Sequence, residues 1–375
     1  MMKNTLILIA MVLMFSCTKP TSQPVLVDEA SFKTEHDGKT IELFTLKNAS
    51  GLVAQITNYG GKVINLWTPD KNGDFADIVI GYETSVEYLN TTEIYYGTLI
   101  GRYGNRIANG QFTLNDSVYT LAKNNGENHL HGGIKGFNNV VWNAKKLDDQ
   151  TLELTYLSVD GEEGYPGNLN VKVVYKLTDE NELKVEYFAT TDKPTPINLT
   201  QHSFFNLKGA GSGDVNDHIM QIMADSFTPV DSTLIPTGEI APVDGTPFDF
   251  RTPTAIGDRI NDEHIQMKYG NGYDHNWVLN KAESGLSYAA KVVEPASGRT
   301  LEVYTNEPGI QFYGGNFMTG NDTGKGGKVF AFRGAFCLET QHFPDSPNKP
   351  QFPSTILNPG MEYYSVCVYK FGVEK

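Results

Sequence analysis

Between Asn170 and Thr190 the chain alternates. In NVKVVYKL, Val171, Val173, Tyr175 and Leu177 fall on one side of an extended strand and Lys172 and Lys176 on the other. After the polar turn TDENE comes LKVEYFAT, with Leu183, Val185 and Tyr187 opposite Lys184 and Glu186. A period of two across a short turn predicts a β-hairpin with one buried and one wet face. TLELTYLSV (151–159) and TLEVYTN (300–306) repeat the pattern, and EYYSVCVYKFGV (362–373) reads as a long aromatic strand. Helical periodicity is scarce; Ala255 to Met267 is the best helix candidate, and it is short. Turn signals recur (DGKT, KNGD, NNGE, EPGI, NPGM), and no fixed-period repeat is visible. Many strands without alternating helices predict antiparallel sheets packed face to face, or a barrel. The expectation is an all-β fold, one large antiparallel β-sandwich with few short helices over residues 28–375.

The N-terminus stands outside that pattern. MMKNTLILIAMVLMFSC has one early basic residue, Lys3, then an apolar run from Leu6 to Phe15, then Ser16-Cys17. This reads as a signal peptide, too short for a stable membrane span. A cysteine directly after a small residue resembles a bacterial lipoprotein cleavage site. The expected division is a leader over 1–16, Cys17 as a lipidated first mature residue, a polar tether over 17–27, and the folded domain. The protein is then exported, to the periplasmic side or the cell surface, anchored through its lipid.

Composition narrows the partners. Hydrophobic residues make up 39% and charged ones 20%, enough apolar content for a real core. The formal charge is −14; losing Lys3 with the leader makes it −15. That acidity excludes nucleic-acid and anionic-surface binders, which need basic patches to displace counterions. Membrane contact is therefore expected only through Cys17. The other cysteines, Cys337 and Cys367, sit in strand-like apolar runs and are expected as buried thiols, although export would permit a disulfide. Their number and spacing do not suit zinc.

Five polar stretches interrupt the strands. GRYGNRIANGQF (101–112) carries Asn105 and Arg106, either a turn with a solvated guanidinium or a planar fork of donors for a ligand. ENHLHGG (127–133) carries His129 and His131, which strand spacing would put on one face; two ligands are too few for a metal, and a single hydrogen-bonding His is expected, with glycines allowing a ligand close. NLTQHSFFNL (198–207) places His202 in a polar island, and His titrates near neutrality. GYDHNWVLN (272–280) has Asp274, a turn residue or an acceptor for two hydroxyls. FCLETQHF (336–343) sets the lone acid Glu339 in a buried-looking run, which is costly unless it has a partner or a task. Taken singly, none of these decides a function.

Together they resemble one family. NRI-NG-F (105–112), LHGG-KGF (130–137), DGEEGYPG (160–167), P-NLT-HS-FNL (196–207), GYDHN (272–276), PGIQFY-GNF (308–317) and FCLETQ-FPD (336–345) resemble the aldose 1-epimerases, or galactose mutarotases, in the same order and over roughly residues 44–371. Gly104, Phe205 and Glu307 are small departures, and the leader is a larger one. The resemblance implies a galactose mutarotase-like supersandwich and interconversion of the α and β anomers of a free aldohexose. It implies no cofactor and no metal, and a monomer or homodimer. By motif, Glu339 matches the general base and His202 the general acid. Arg106, His131 and Asp274 match residues that hold sugar hydroxyls; Asn105 and Gln311 match further polar contacts. The rival expectations are a glycoside hydrolase using Glu339 and Asp274, a sugar-phosphate epimerase using Arg102 beside Arg106, and a sugar-binding surface lipoprotein without turnover.

Overall fold

A computed structural model describes residues 22–281 and 285–374 of the 375. The leader over 1–16 and Cys17 lie outside the described residues. Among those described, no helix is long and apolar enough to cross a membrane.

The alternating hairpin forms as expected. Strands Leu169–Leu177 and Glu182–Thr191 pair antiparallel, setting Tyr175 opposite Val185 and Val173 opposite Tyr187. Leu169, Val171, Val173, Tyr175 and Leu177 are all buried, while Asn170, Lys172 and Lys176 are exposed. Burying each large apolar side chain there contributes about 1.5–3 kcal/mol. This hairpin sits within a nine-stranded antiparallel sheet ordered Asn143–Lys146, Thr151–Ser158, Leu169–Leu177, Glu182–Thr191, Tyr363–Val373, Arg299–Thr305, Ser287–Val293, Ile219–Ile222, Thr254–Ala255. The final strand, from late in the chain, closes the middle and joins distant segments.

Two smaller sheets complete the sandwich. One is four-stranded (Leu43–Lys47, Val53–Thr57, Val63–Pro69, Phe75–Asp77). The other is five-stranded (Ala241–Pro242, Ser226–Thr228, Asp274–Val278, Gly309–Tyr313, Cys337–Gln341). A single core cluster holds Val173 and Tyr187 of the large sheet, Ile56 and Leu66 of the second, and Trp277 and Phe312 of the third. A second cluster, with Tyr96, Phe204, Tyr313 and Cys337, lies beside the cavity described below.

The described residues contain two α-helices, Ser85–Asn90 and Ile265–Gly270. The expected helix over 255–267 is therefore mostly wrong. Ala255 ends an edge strand, turns follow, and the helix begins only at Ile265, after His264 accepts from the Gln266 N–H. Its apolar spacing reflects core contacts of irregular chain, with Ile256 and Ile260 buried among sheet residues. Cys337 and Cys367 are buried free thiols, not a disulfide.

Candidate active site

The residues singled out from the polar stretches meet at one cavity of about 580 Å³, within the usual size of small-molecule sites. Asn105, Arg106, His131, His202, Asp274 and Glu339 line it. Gln311 stands immediately behind, opposite Glu339 across the paired strands Gly309–Tyr313 and Cys337–Gln341.

Each side chain is delivered by backbone geometry. His202 ends the strand Thr200–His202, which pairs with Thr98–Ile100 and packs beside Cys337–Gln341. Its Nε2 lies 3.5 Å from Glu339 Oε1. Its Nδ1 lies 3.4 Å from the Cys337 sulfur. Glu339 is 2% exposed and its Oε2 has no hydrogen-bond partner. Burial above all, then the charge of Asp274, pushes the Glu339 carboxyl well above its ordinary pKa; Arg106 opposes this. Burial lowers His202 to about 4. Each group of the pair is thus driven towards its neutral form.

Asp274 starts the strand Asp274–Val278 and is tied on both sides. Its Oδ1 accepts from Gln311 Nε2 at 2.7 Å, and Arg106 Nη1 stands 3.7 Å from its Oδ2. Arg106 Nε donates to Asn125 Oδ1 at 3.2 Å. Asn105 adopts a left-handed backbone (φ 64°), and its N–H donates to His131 Nδ1 at 3.2 Å. His131 is also left-handed (φ 53°), and burial first, then His202 and Arg106, depress its pKa strongly.

That conformation corrects one expectation. The strand stops at Leu130, so His129 and His131 do not share a face. His129 turns inward, between the Ala122 carbonyl and the Tyr165 hydroxyl, and His131 faces the cavity. The glycines after it have a different role from the one expected. A Cβ at Gly132 would sit 1.8 Å from the Gly101 carbonyl oxygen, so this glycine admits backbone, not ligand. Arg102 is spent in the interior on Ser158, Val159 and Pro166, which removes the hint of a phosphate site. In DGEEGYPG, Glu163 accepts from the N–H groups of Ile134 and Lys135 and pins the loop after His131.

His131, His202 and Glu339 each offer a possible metal-ligand atom, all within 4.8 Å of one another. The donor set fits a metal poorly. With Nδ1 of His131 accepting from a backbone N–H, its neutral ring carries the proton on Nε2. That makes it a hydrogen-bond donor, suited to a hydroxyl oxygen.

The cavity wall includes residues that reading the sequence missed. Tyr95 meets His131 edge-on at 4.9 Å and stacks on His202 at 5.9 Å. Phe204, Tyr313, Phe317, Tyr269 and Glu93 also line it. Aromatic walls with a few convergent polar groups suit a sugar, which has apolar faces and a polar rim.

Comparison with known proteins decides the family. The aldose 1-epimerase family model matches residues 42–370. The chain belongs to the aldose 1-epimerase family. It is 46% identical to a pig galactose mutarotase over 334 residues, covering 89% of this chain and 95% of that protein. It is 38% identical over 340 residues to an aldose 1-epimerase of Escherichia coli K12, covering 90% and 97%. Among solved structures, an aldose epimerase homologue from C. elegans superimposes with a TM-score of 0.82 at 30% identity, covering 89% of this chain and 99% of that one. A galactose 1-epimerase from Lactobacillus acidophilus gives 0.80 at 28%, covering 91% and 97%. The aldose 1-epimerase match spans all the segments that line the cavity.

Proposed function

We propose that this chain is an aldose 1-epimerase that interconverts the α and β anomers of free aldohexoses such as galactose and glucose. The carrying observation is His202 Nε2 and Glu339 Oε1 3.5 Å apart on one cavity rimmed by Arg106, His131 and Asp274. Opening a cyclic hemiacetal removes the C1 hydroxyl proton and protonates the ring oxygen. Glu339 takes the first proton as base, and His202 supplies the second as acid. Rotation about C1–C2 presents the other aldehyde face, and closure reverses both transfers. Each positioned group is worth about 10²–10⁴-fold. Arg106, His131 and Asp274 hold hydroxyls, with Asn105 and Gln311 orienting them, so the open chain stays aligned.

The directions of the pKa shifts say where the proton waits. In the empty site it rests on Glu339 beside a neutral His202. The reacting arrangement has the same proton count with the proton on His202, so the pair works in its one-proton form. Mutual attraction at 3.5 Å and the nearby Arg106 guanidinium stabilise the ionised arrangement.

The leader and Cys17 complete the proposal: the enzyme is exported and tethered by lipid. Metabolic labelling with a radioactive fatty acid tests this, and label that persists in Cys17→Ser refutes it. The activity is tested by saturation-transfer NMR of anomer exchange over a sugar panel. Exchange above the uncatalysed rate supports the reading. Release of reducing sugar from an aryl glycoside without anomer exchange would replace it with a hydrolase.

A further inference from the structure

One carboxylate in the cavity wall has no place in the mechanism above. Glu93 stands in the loop between the helix Ser85–Asn90 and the strand Thr98–Ile100 and lines the same cavity as His202 and Glu339. One of its oxygens, Oε1, accepts from the Tyr95 N–H at 3.0 Å. No residue among those described donates to the other oxygen.

Its natural counter-ion is occupied elsewhere. Lys62, fully buried, gives its ammonium to the Asn138 carbonyl at 2.6 Å, and to the Ile94 carbonyl and Thr98 hydroxyl at 3.3 Å each. Lys62 thus clamps the loop from below and makes no ion pair with Glu93. The remaining groups that face Glu93 do not pair it either. Tyr96 gives its hydroxyl to Asp322 at 2.9 Å, and the Tyr313 hydroxyl accepts from the Phe317 N–H. A carboxyl that is half-buried, half-satisfied and turned to a sugar-sized cavity has an acceptor to spare. Burial, reinforced by Asp322 and opposed by the Tyr95 N–H and Lys62, raises its pKa to about 7.

The loop also carries Tyr95, whose ring packs on both His131 and His202. A ligand group held by Glu93 is therefore held next to the reacting pair. We propose that Glu93 is a substrate-binding residue, accepting a hydroxyl of the bound sugar through its free carboxyl oxygen, and that the loop over 91–97 is a specificity element of the cavity. This rests on the sugar reading of the site.

The test is anomer-exchange kinetics, paired with calorimetric binding, for wild type, Glu93→Gln and Glu93→Ala. The substrates are galactose and its 2-, 3-, 4- and 6-deoxy forms. A lost hydrogen bond to a charged group is worth about 10–100-fold. Glu93→Ala is expected to raise KM for galactose by that factor with kcat within about threefold, and Glu93→Gln, which keeps an acceptor oxygen, by less. One deoxy sugar should show the same loss in wild type and no further loss in Glu93→Ala, which identifies the contacted hydroxyl. An unchanged KM, or an equal loss with every sugar including all deoxy forms, overturns the proposal; the second outcome would mean that Glu93 only shapes the loop. If wild type binds these sugars without exchanging anomers, the epimerase reading fails, and the binding series still decides Glu93. If wild type binds none of them, both fall.

Discussion

The hairpin Leu169–Thr191 and the paired strands that carry Gln311 and Glu339 are built from the same backbone geometry but solve opposite problems. In the hairpin, inward and outward residues alternate, and the inward ones are apolar except Thr191 at its end. Only one buried side-chain polar atom there, the Tyr187 hydroxyl, lacks a partner. The strands Gly309–Tyr313 and Cys337–Gln341 are buried along their whole length. Gln311 and Glu339 stand opposite each other across the register, and Gln311 Oε1, Glu339 Oε2 and both polar atoms of Gln341 lack partners. Each such atom costs about 1–3 kcal/mol. The hairpin supplies stability, and the cavity strands give up part of it in unsatisfied groups, of which Glu339 lines the cavity.

That contrast can be broken in order of size. His202→Asn, on the cavity side, should lower kcat by about 10²–10⁴-fold, or about 2.7–5.4 kcal/mol, with the melting temperature little changed. Polarimetry of fresh α-glucose reads the rate, and a wild-type rate would remove His202 from the chemistry. Leu177→Ala, on the hairpin side, should do the reverse. It should cost about 2–5 kcal/mol in urea unfolding and leave kcat within twofold. Loss of turnover at unchanged stability would erase the distinction between the regions. Arg106→Lys keeps the charge but loses the fork that reaches Asn125 and Asp274, so KM should rise about 10–100-fold at similar kcat. Cys337→Ala removes a weak sulfur contact to His202 Nδ1 and one small side chain's packing in the second core cluster. Less than tenfold in kcat is expected, with a displaced acid limb of the pH profile.

The pH profile itself follows from the pair. Below about 4, His202 gains a second proton while Glu339 keeps its own, so no base remains and activity falls. Above the raised pKa of Glu339 the pair holds no proton, no acid remains, and activity falls again. Between them the pair contributes no limb to kcat/KM, and a shallower step near 7 would belong to Glu93. An acid limb alone, with no fall in activity on the alkaline side, would contradict the shared-proton account.

How much of this the sequence disclosed depended on which rule each region obeys. Alternation made the hairpin legible down to the facing of Val173 and Tyr187, because one face meets water. Fully buried strands carry no such rhythm, and Glu339 was noticed only as an acid among Phe336, Cys337 and Leu338. His129 and His131 misled because a single left-handed residue reverses the direction that strand spacing assumes. Gly132 was read as room for a ligand when it is room for another stretch of backbone. Glu93 and Tyr95 gave no signal at all, since their loop is tied down through Lys62, which donates to the Ile94 carbonyl from a distant segment, a contact no local pattern encodes.

The shared proton of His202 and Glu339 is tested most directly by saturation-transfer NMR of galactose anomer exchange in Glu339→Gln, with sugar binding followed by calorimetry on the same sample. The amide keeps the shape and removes the base. The predicted result is exchange reduced by about 10²–10⁴-fold while galactose still binds; exchange at the wild-type rate would contradict it.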